Sequence, residues 1–419
     1  MSDKLQVAVA GIGRMGMRHA RHFATLTPRA ELIAVSSPVQ AELDAAKKEF
    51  GVRTYLSFDD MLAQEKTLQA VVVASATTVH AEQAISAIEK GYHVLCEKPL
   101  STSPEISQTV VDAYRTSIKS YPSQKVICGF SRRFDASYRD AFARMSNGDI
   151  GTPSVFRSQT CDKLDPSGFF VAYAEFSGGI FVDCSIHDID LALWFFGEDS
   201  RVKSVAAVGI TAVQPDLRKH NDRDNAVGII EFYGGKIAQL YCSRMMAAGQ
   251  MDCTEVFGTN GQIAVNTQPQ SNLVNLFEST GVRREIPPDY YGRFREAFIT
   301  EANEFTAACL DDLPPPMSLE GAVKAVRIGS ALQESLISGK KIEFDETSIL
   351  ARFLIMERMD FFVRRDEIIK ERRRLLQENN GYVPGAHREE DGIRNKDKKL
   401  DKTKQIHQDT LDLWLDRNK

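Results

Sequence analysis

Residues 5–16, LQVAVAGIGRMG, set a short apolar run against three glycines spaced G-x-G-x-x-G, and an amphipathic stretch continues to Thr25. The run reads as a buried strand, the glycines as a tight turn, and the stretch as a helix. Gly11 permits the turn, Gly13 lets a pyrophosphate approach the backbone, and Gly16 lets helix and strand pack closely. The helix start then offers free N–H groups and a positive dipole end to phosphates. Alone, such a turn is a weak signal; its weight comes from the pattern of the next hundred residues.

That pattern is a regular alternation. Strands are expected over 31–36, 70–74, 93–96 and 126–129, with a short extended piece from Tyr55. Helices are expected over 40–50, 59–64, 80–90 and 103–120, two of them stopped by Gly51 and Gly91. Strands alternating with helices imply right-handed crossovers and a parallel sheet covered on both faces. Near Tyr138 the rhythm changes. After a helix to about residue 147 come strands over 154–160, 202–213, 226–232, 237–243, 255–258 and 262–266. Tyr233-Gly234-Gly235 and Thr259-Asn260-Gly261 are hairpin-type turns. One helix, 187–196, interrupts them, and helices over 297–309 and 319–338 return to the main body.

The fold class is therefore α/β followed by α+β: a dinucleotide-binding domain over 1–135, then an α+β domain over 136–345 with a large, mostly antiparallel open sheet. Part of 297–340 packs back on the first domain. Residues 346–419 form a charged helical extension, apolar at helical spacing from 348, then rich in charge, and ending in Leu411, Leu413, Trp414 and Leu415. It is either a solvated helix with a loose tail or a subunit contact.

A chain of 419 residues has room for two cores. Its net charge of −5 argues against general nucleic-acid binding, which needs a basic surface. No apolar run approaches the roughly 20 residues of a membrane span, and residues 5–11 run straight into a glycine turn, unlike a signal peptide. Seven cysteines, an odd number without a CxxC pair, fit reduced thiols in the cytoplasm.

Lys98 closes the strand at 93–96, at the carboxyl edge where open α/β sheets collect ligands. A cation there can stabilise alkoxide character on a substrate hydroxyl as hydride leaves; the rival reading is a surface lysine beside Glu97. Asp183 and His187 lie four residues apart at a helix start after Gly178-Gly179, which puts both on one face. A carboxylate can fix a histidine's tautomer and make it a base near neutral pH. The rival readings are N-cap carboxylates, for which Asp188 and Asp190 also qualify, and a structural histidine. No second histidine or cysteine stands at ligand spacing, so no metal is expected.

GIGRMG at 11–16, ASATTVH ending at His80, CEKPLS at 96–101, GFSRRFD at 129–135 and GGIFVDCSIHDIDLALW at 178–194 occur in this order. Over roughly residues 5–344 the chain resembles the Gfo/Idh/MocA oxidoreductases, a family that includes glucose–fructose oxidoreductases and inositol 2-dehydrogenases. The resemblance implies a Rossmann domain and a second α/β domain whose open sheet often forms the subunit interface, hence a homodimer or homotetramer. It assigns catalysis to Lys98, Asp183 and His187, with Lys98 polarising the hydroxyl, His187 accepting its proton and Asp183 orienting His187 and contacting substrate. Arg132 would be a substrate or structural contact. Cofactor contacts would come from Gly11, Gly13, Arg14, Met15 and Gly16, from Ser36 and Ser37, and from Ser75, Ala76, His80, Glu97 and Lys98. The Lys98–Pro99 bond is expected to be cis, as it often is in the family.

Two departures bear on cofactor and substrate. The acidic residue expected about 20 residues beyond the turn is replaced by Ser36-Ser37-Pro38, which leans from NAD toward NADP with both left open. After Ser243-Arg244 the chain reads MMAAGQMDC, without the tyrosine-containing continuation usual in inositol dehydrogenases. The expected activity is hydride transfer between nicotinamide and a CH–OH/C=O group of a sugar, polyol or related cyclic hydroxy compound. The alternatives are reduction of a non-sugar ketone or imine, and a non-enzymatic dinucleotide-binding regulator.

Overall fold

The computed structural model describes residues 4–344; the expected extension over 346–419, with its docking helix near Trp414, lies outside the described residues. The chain runs β1 (Leu5–Ala10), α1 (Arg14–Arg21), β2 (Ala30–Ser36), α2 (Gln40–Phe50), β3 (Arg53–Tyr55), α3 (Phe58–Gln64), β4 (Ala70–Val73), α4 (His80–Glu89), β5 (His93–Glu97), α5 (Pro104–Ser117) and β6 (Val126–Gly129). These six strands form one parallel sheet in the order β3-β2-β1-β4-β5-β6. Every residue of β4 and β6 is buried, as in a sheet covered on both faces. The chain order reverses between β1 and β4, which opens a crevice at their carboxyl ends. The piece expected at Tyr55 is the edge strand β3, and α1 gives way at His22 to one π-helical stretch, His22–Leu26.

Local chemistry sets the boundaries. Ser57 and Ser103 accept hydrogen bonds from Asp60 N and Ile106 N, capping α3 and α5, and Pro104 pre-sets the first turn of α5. Gly51 ends α2 in the left-handed conformation at φ 69°.

The second half contains α6 (Ala136–Ser146), β7 (Pro153–Lys163), α7 (Phe169–Ser177), α8 (Ile180–Asp183), α9 (Ile186–Phe196), β8 (Val202–Ile210), β9 (Asn225–Phe232), β10 (Ile237–Met246), β11 (Met251–Gly258), β12 (Gln262–Val265), β13 (Asn275–Glu278), β14 (Gly281–Arg284), α10 (Tyr290–Leu310), α11 (Leu319–Ser338) and β15 (Ile342–Glu343). A seven-stranded sheet takes the order β12-β11-β7-β10-β9-β8-β15. Only the β7–β10 pair is parallel. One face of this sheet is open: Val208 is 70 %, Ile229 50 % and Ile237 42 % exposed.

Several sequence expectations are corrected. The strand expected to reach residue 213 stops at Ile210, because the Asp224 carboxylate takes the N–H groups of Ala212, Val213 and Gln214. The exposed hairpin β13–β14 and helix α7 have no counterpart among the expected elements. Helix α10 starts at Tyr290 rather than 297, since Asp289 caps it by accepting from Gly292 N at 2.7 Å. Helix α10 packs against the π-helical stretch and β1, and α11 against α5 and β6. All seven cysteines are free thiols.

Candidate active site

The glycine turn lies in the crevice. A Cβ on Gly11, whose φ is +81°, would sit 2.3 Å from Ser75 Cα, and one on Gly16 would sit 1.6 Å from the Gly11 carbonyl oxygen. Both glycines are thus required by packing. Gly13 differs: the nearest atom to its would-be Cβ is Glu42 Oε1, 3.9 Å away. The space over Gly13 is a cradle that a ligand can enter. Helix α1 begins there with no side-chain cap and no acidic residue in its first turn, so its N–H groups face that space unpartnered by side chains. Exposed Arg14 and partly buried Met15 come next. These residues fit a dinucleotide pyrophosphate.

At the end of β2, Ser36 and Ser37 are buried. Ser37 Oγ accepts from Val39 N at 3.1 Å and donates to Glu42 Oε2 at 2.5 Å. The expectation of a strand end without a carboxylate is thereby corrected, because Glu42 reaches back from the first turn of α2 to supply one. Beyond β4, Ser75 Oγ donates to Gln83 Oε1 at 2.7 Å, and Ala76 leads into a single 3-10 turn. His80 is buried, with Nδ1 2.9 Å from Pro99 O and Nε2 3.0 Å from Ser75 O. Its ring clasps the β4 and β5 loops to each other; burial pushes its pKa below the usual histidine range. The Lys98–Pro99 peptide is cis. Glu97 turns inward, 2.7 Å from His19 Nε2, with its other oxygen accepting from Lys98 N. Burial opposes its ionisation, but the His19 hydrogen bond and the Lys98 charge outweigh burial and hold its pKa low.

Lys98 points from the end of β5 to the second half of the chain. Its Nζ donates to the Asp183 carbonyl oxygen at 2.8 Å and lies 3.9 Å from Asp183 Oδ1. Arg244, 1 % exposed, bridges Asp183 Oδ2 at 2.9 Å and Asp222 Oδ2 at 2.7 Å. Asp183 and Lys98 keep some exposure, 16 % and 19 % for their side chains, above a scaffold that has almost none.

The four-residue spacing does not give one helical face. Asp183 ends α8, and His187 is in the first turn of α9, with Cys184 and Ser185 between them. The Asp183 carboxylate meets Arg244 and Lys98, while His187 Nδ1 lies 3.2 Å from Tyr290 Oη. The His187 and Tyr290 rings stack with centroids 4.8 Å apart. Burial, reinforced by Lys98 and Arg132, pushes the His187 pKa well below 6.5, so the ring is neutral at neutral pH.

Helix α9 is buried almost all round, in keeping with the unbroken apolar run of its second half, Leu191–Phe196. Its acidic residues are ion partners rather than N-caps. Asp188 receives Arg132 Nη1 at 3.1 Å, and Asp190 receives Arg133 Nε and Nη2 at 2.9 and 2.7 Å. Arg132 also reaches Asp252 and Thr160, and its Nε lies 3.4 Å from Tyr290 Oη. It is a buried organiser of the site.

Three site residues carried no local sequence signal. Tyr290 comes from the start of α10. Asp162, at the end of β7, accepts from Gln250 Nε2 at 2.7 Å; burial, with Asp183 near, pushes its pKa up. Tyr173 of α7 lies 3.3 Å from Thr77 Oγ1, and burial with Asp183 near pushes its hydroxyl up to about 12. Two phenols thus stand at the site although none comes directly after Ser243-Arg244. Among the described residues no cluster suited to a metal ion occurs, and no helix is long and apolar enough to cross a membrane.

Two family models match. Residues 5–121 match the oxidoreductase family with an NAD-binding Rossmann fold, and residues 138–264 match the GFO/IDH/MocA C-terminal domain. The chain is 30% identical over 347 residues to a scyllo-inositol 2-dehydrogenase (NAD(+)) of Bacillus subtilis, covering 82% of this chain and 98% of that protein. It is 29% identical over 343 residues to the myo-inositol 2-dehydrogenase of Thermotoga maritima, covering 82% and 99%. The crystal structure of Lactobacillus casei scyllo-inositol dehydrogenase with bound NAD(H) and scyllo-inositol is similar at a TM-score of 0.76 and 32% identity, over 81% of this chain and 99% of that one. The lean toward NADP finds no support here: the N-terminal family model, the Bacillus subtilis relative and the Lactobacillus casei structure are described with NAD.

Proposed function

Because the chain belongs to the GFO/IDH/MocA oxidoreductase family, we propose that it is an NAD-dependent dehydrogenase of an inositol-like cyclic polyol. The observation that carries this reading is Lys98 Nζ, at the carboxyl edge of the sheet that bears the glycine cradle, held on Asp183, with neutral His187 near enough for the Lys98 charge to lower its pKa. Bound NAD supplies the hydride acceptor. Lys98 donates to the hydroxyl oxygen of the reacting carbon and stabilises its alkoxide character. Asp183, fixed by Arg244 and Lys98, accepts a neighbouring substrate hydroxyl. His187 takes the proton of the reacting hydroxyl.

One hydrogen-bond arrangement suits that role. Arg132 Nε–H and His187 Nδ1–H both donate to Tyr290 Oη, which donates to Ser131 Oγ at 3.3 Å. The Nε2 lone pair is then the base, and Tyr290 takes the orienting part that spacing assigned to Asp183. Residues 1–135 hold the dinucleotide and supply Lys98, and 136–345 provide the other substrate groups and the subunit contacts. The apolar residues on the open sheet face support a homodimer or homotetramer. Seven free thiols suit the cytoplasm.

The test is NAD reduction across a panel of inositol isomers, sugars and acyclic polyols, beside NADH oxidation with non-sugar ketones and imines. Turnover with a cyclic polyol is expected. Intact NAD binding with turnover only on a non-sugar ketone or imine, or with none at all, would overturn the reading.

A further inference from the structure

We propose that Glu42 is the carboxylate that receives the adenosine ribose and makes the site select NAD over NADP, with Ser37 as its positioning residue. The inference rests on the proposed dinucleotide-dependent function.

In a Rossmann half the pyrophosphate crosses the glycine turn and the ribose hydroxyls meet an acidic group at the end of the second strand. Here that strand ends in two buried serines, and neither can accept both hydroxyls or repel a 2′-phosphate. The structure puts a carboxylate at the same point by another route. Glu42 is in the first turn of α2, five residues beyond Ser37, and its side chain folds back to the strand end. The Val39 N–H donates to Ser37 Oγ, which commits the serine proton to Glu42 Oε2. That leaves Oε1 turned to the other side, where it is the one atom within 4 Å of the would-be Cβ of Gly13. The carboxylate therefore spans the gap between the end of β2 and the open glycine, the interval that the ribose occupies. Its position at a helix N-terminus favours negative charge. A ribose 2′- and 3′-diol finds an acceptor there; a 2′-phosphate meets a like charge.

The experiment is equilibrium binding of NADH and NADPH without substrate, read by cofactor fluorescence, for the wild-type chain, Glu42→Gln, Ser37→Ala and Ser37→Asp, with circular dichroism to verify folding. Wild type is expected to bind NADH about 100-fold more tightly than NADPH. Glu42→Gln is expected to lose about tenfold in NADH affinity and to narrow the ratio at least about tenfold, the scale of one charged hydrogen bond. Ser37→Ala should narrow it less. Ser37→Asp, which would raise NAD preference at a bare strand end, sets a second carboxylate against Glu42 and should weaken NADH binding. An unchanged ratio in Glu42→Gln with NADH binding intact, or a gain of NADH preference in Ser37→Asp, overturns the proposal alone. A wild-type chain that binds neither dinucleotide overturns it together with the function beneath it.

Discussion

Arg133 grips Asp190 with two parallel hydrogen bonds, Nε to Oδ2 at 2.9 Å and Nη2 to Oδ1 at 2.7 Å, with both side chains nearly inaccessible. The pair anchors α9, and so His187, to the loop after β6. Removing Arg133 leaves Asp190 buried without this partner, so Arg133→Met is expected to cost about 3–5 kcal/mol, and Asp190→Leu less, because Glu198 still accepts from Arg133 Nη1. The double variant Arg133→Met/Asp190→Leu should cost much less than the sum of the single changes. Urea unfolding of the four proteins checks this, and an Arg133→Met loss below about 1 kcal/mol would contradict it.

Tyr290 touches the His187 ring, so its loss should act through that ring. Tyr290→Phe removes the acceptor at Nδ1, and kcat is expected to fall about three- to tenfold, the scale of one neutral hydrogen bond. Burial holds the His187 pKa below 6.5, so the wild-type acid limb of kcat/KM for alcohol oxidation lies below that pH. An imidazolium without Tyr290 is less stabilised, and the limb should move further down. A pH–rate profile that is identical in both proteins would remove Tyr290 from this role.

Lys98→Ala and His187→Ala are each expected to lower kcat by about two orders of magnitude or more, the scale of a lost electrostatic or acid–base group. Asp183→Asn should raise KM as well as lower kcat, because it loosens both Lys98 and a substrate contact. Steady-state kinetics with NAD and a cyclic polyol decides each assignment; near-normal kcat in any one of them refutes that residue's part.

The three turn glycines separate folding from binding. Gly13→Ala meets open space at an ordinary φ of −72°, so its stability should change by less than about 0.5 kcal/mol. Its methyl group occupies the cradle, and NADH affinity should drop at least about tenfold. Gly16→Ala drives a methyl into the Gly11 carbonyl and should lose both affinity and roughly 1–3 kcal/mol of stability. Thermal melts beside fluorescence titrations distinguish the two; equal melting losses would show that Gly13 is a packing glycine too.

The features readable in the sequence are local or periodic. The apolar runs of β1, β4, β5 and β6 announce strands buried on both faces, and they place the glycine turn and the Glu97-Lys98-Pro99 edge. The unreadable features depend on distance. Tyr290 reaches His187 across 103 positions and Arg244 reaches Asp183 across 61, and neither leaves a local pattern. The Asp183–His187 spacing misleads because spacing assumes one continuous helix, and the chain breaks at Cys184-Ser185. Ser37 misleads for a related reason: a strand end can borrow its carboxylate from the next helix. Asp188 and Asp190 read as caps only while α9 is taken for a surface helix; a buried helix needs partners for its charges.

Glu301 is fully buried in α10, and neither of its carboxyl oxygens has a protein partner among the described residues. Burial, with Glu97 near, pushes its pKa well above the usual carboxylate range. In the folded chain it therefore keeps its proton at pH values where the unfolded chain has released it. The folded state then binds more protons than the unfolded state, so this residue's contribution is full below about pH 4.3 and declines as pH rises toward its folded pKa. Glutamine keeps the shape and cannot ionise. Glu301→Gln should match wild type near pH 4 and gain on it by up to about 1.4 kcal/mol for each pH unit above. Urea unfolding at intervals from about pH 4.5 to about pH 7.5 measures the difference. A constant offset across that range would mean that Glu301 titrates alike in both states, and a wild-type advantage that grows with pH would mean that the folded chain stabilises its charge.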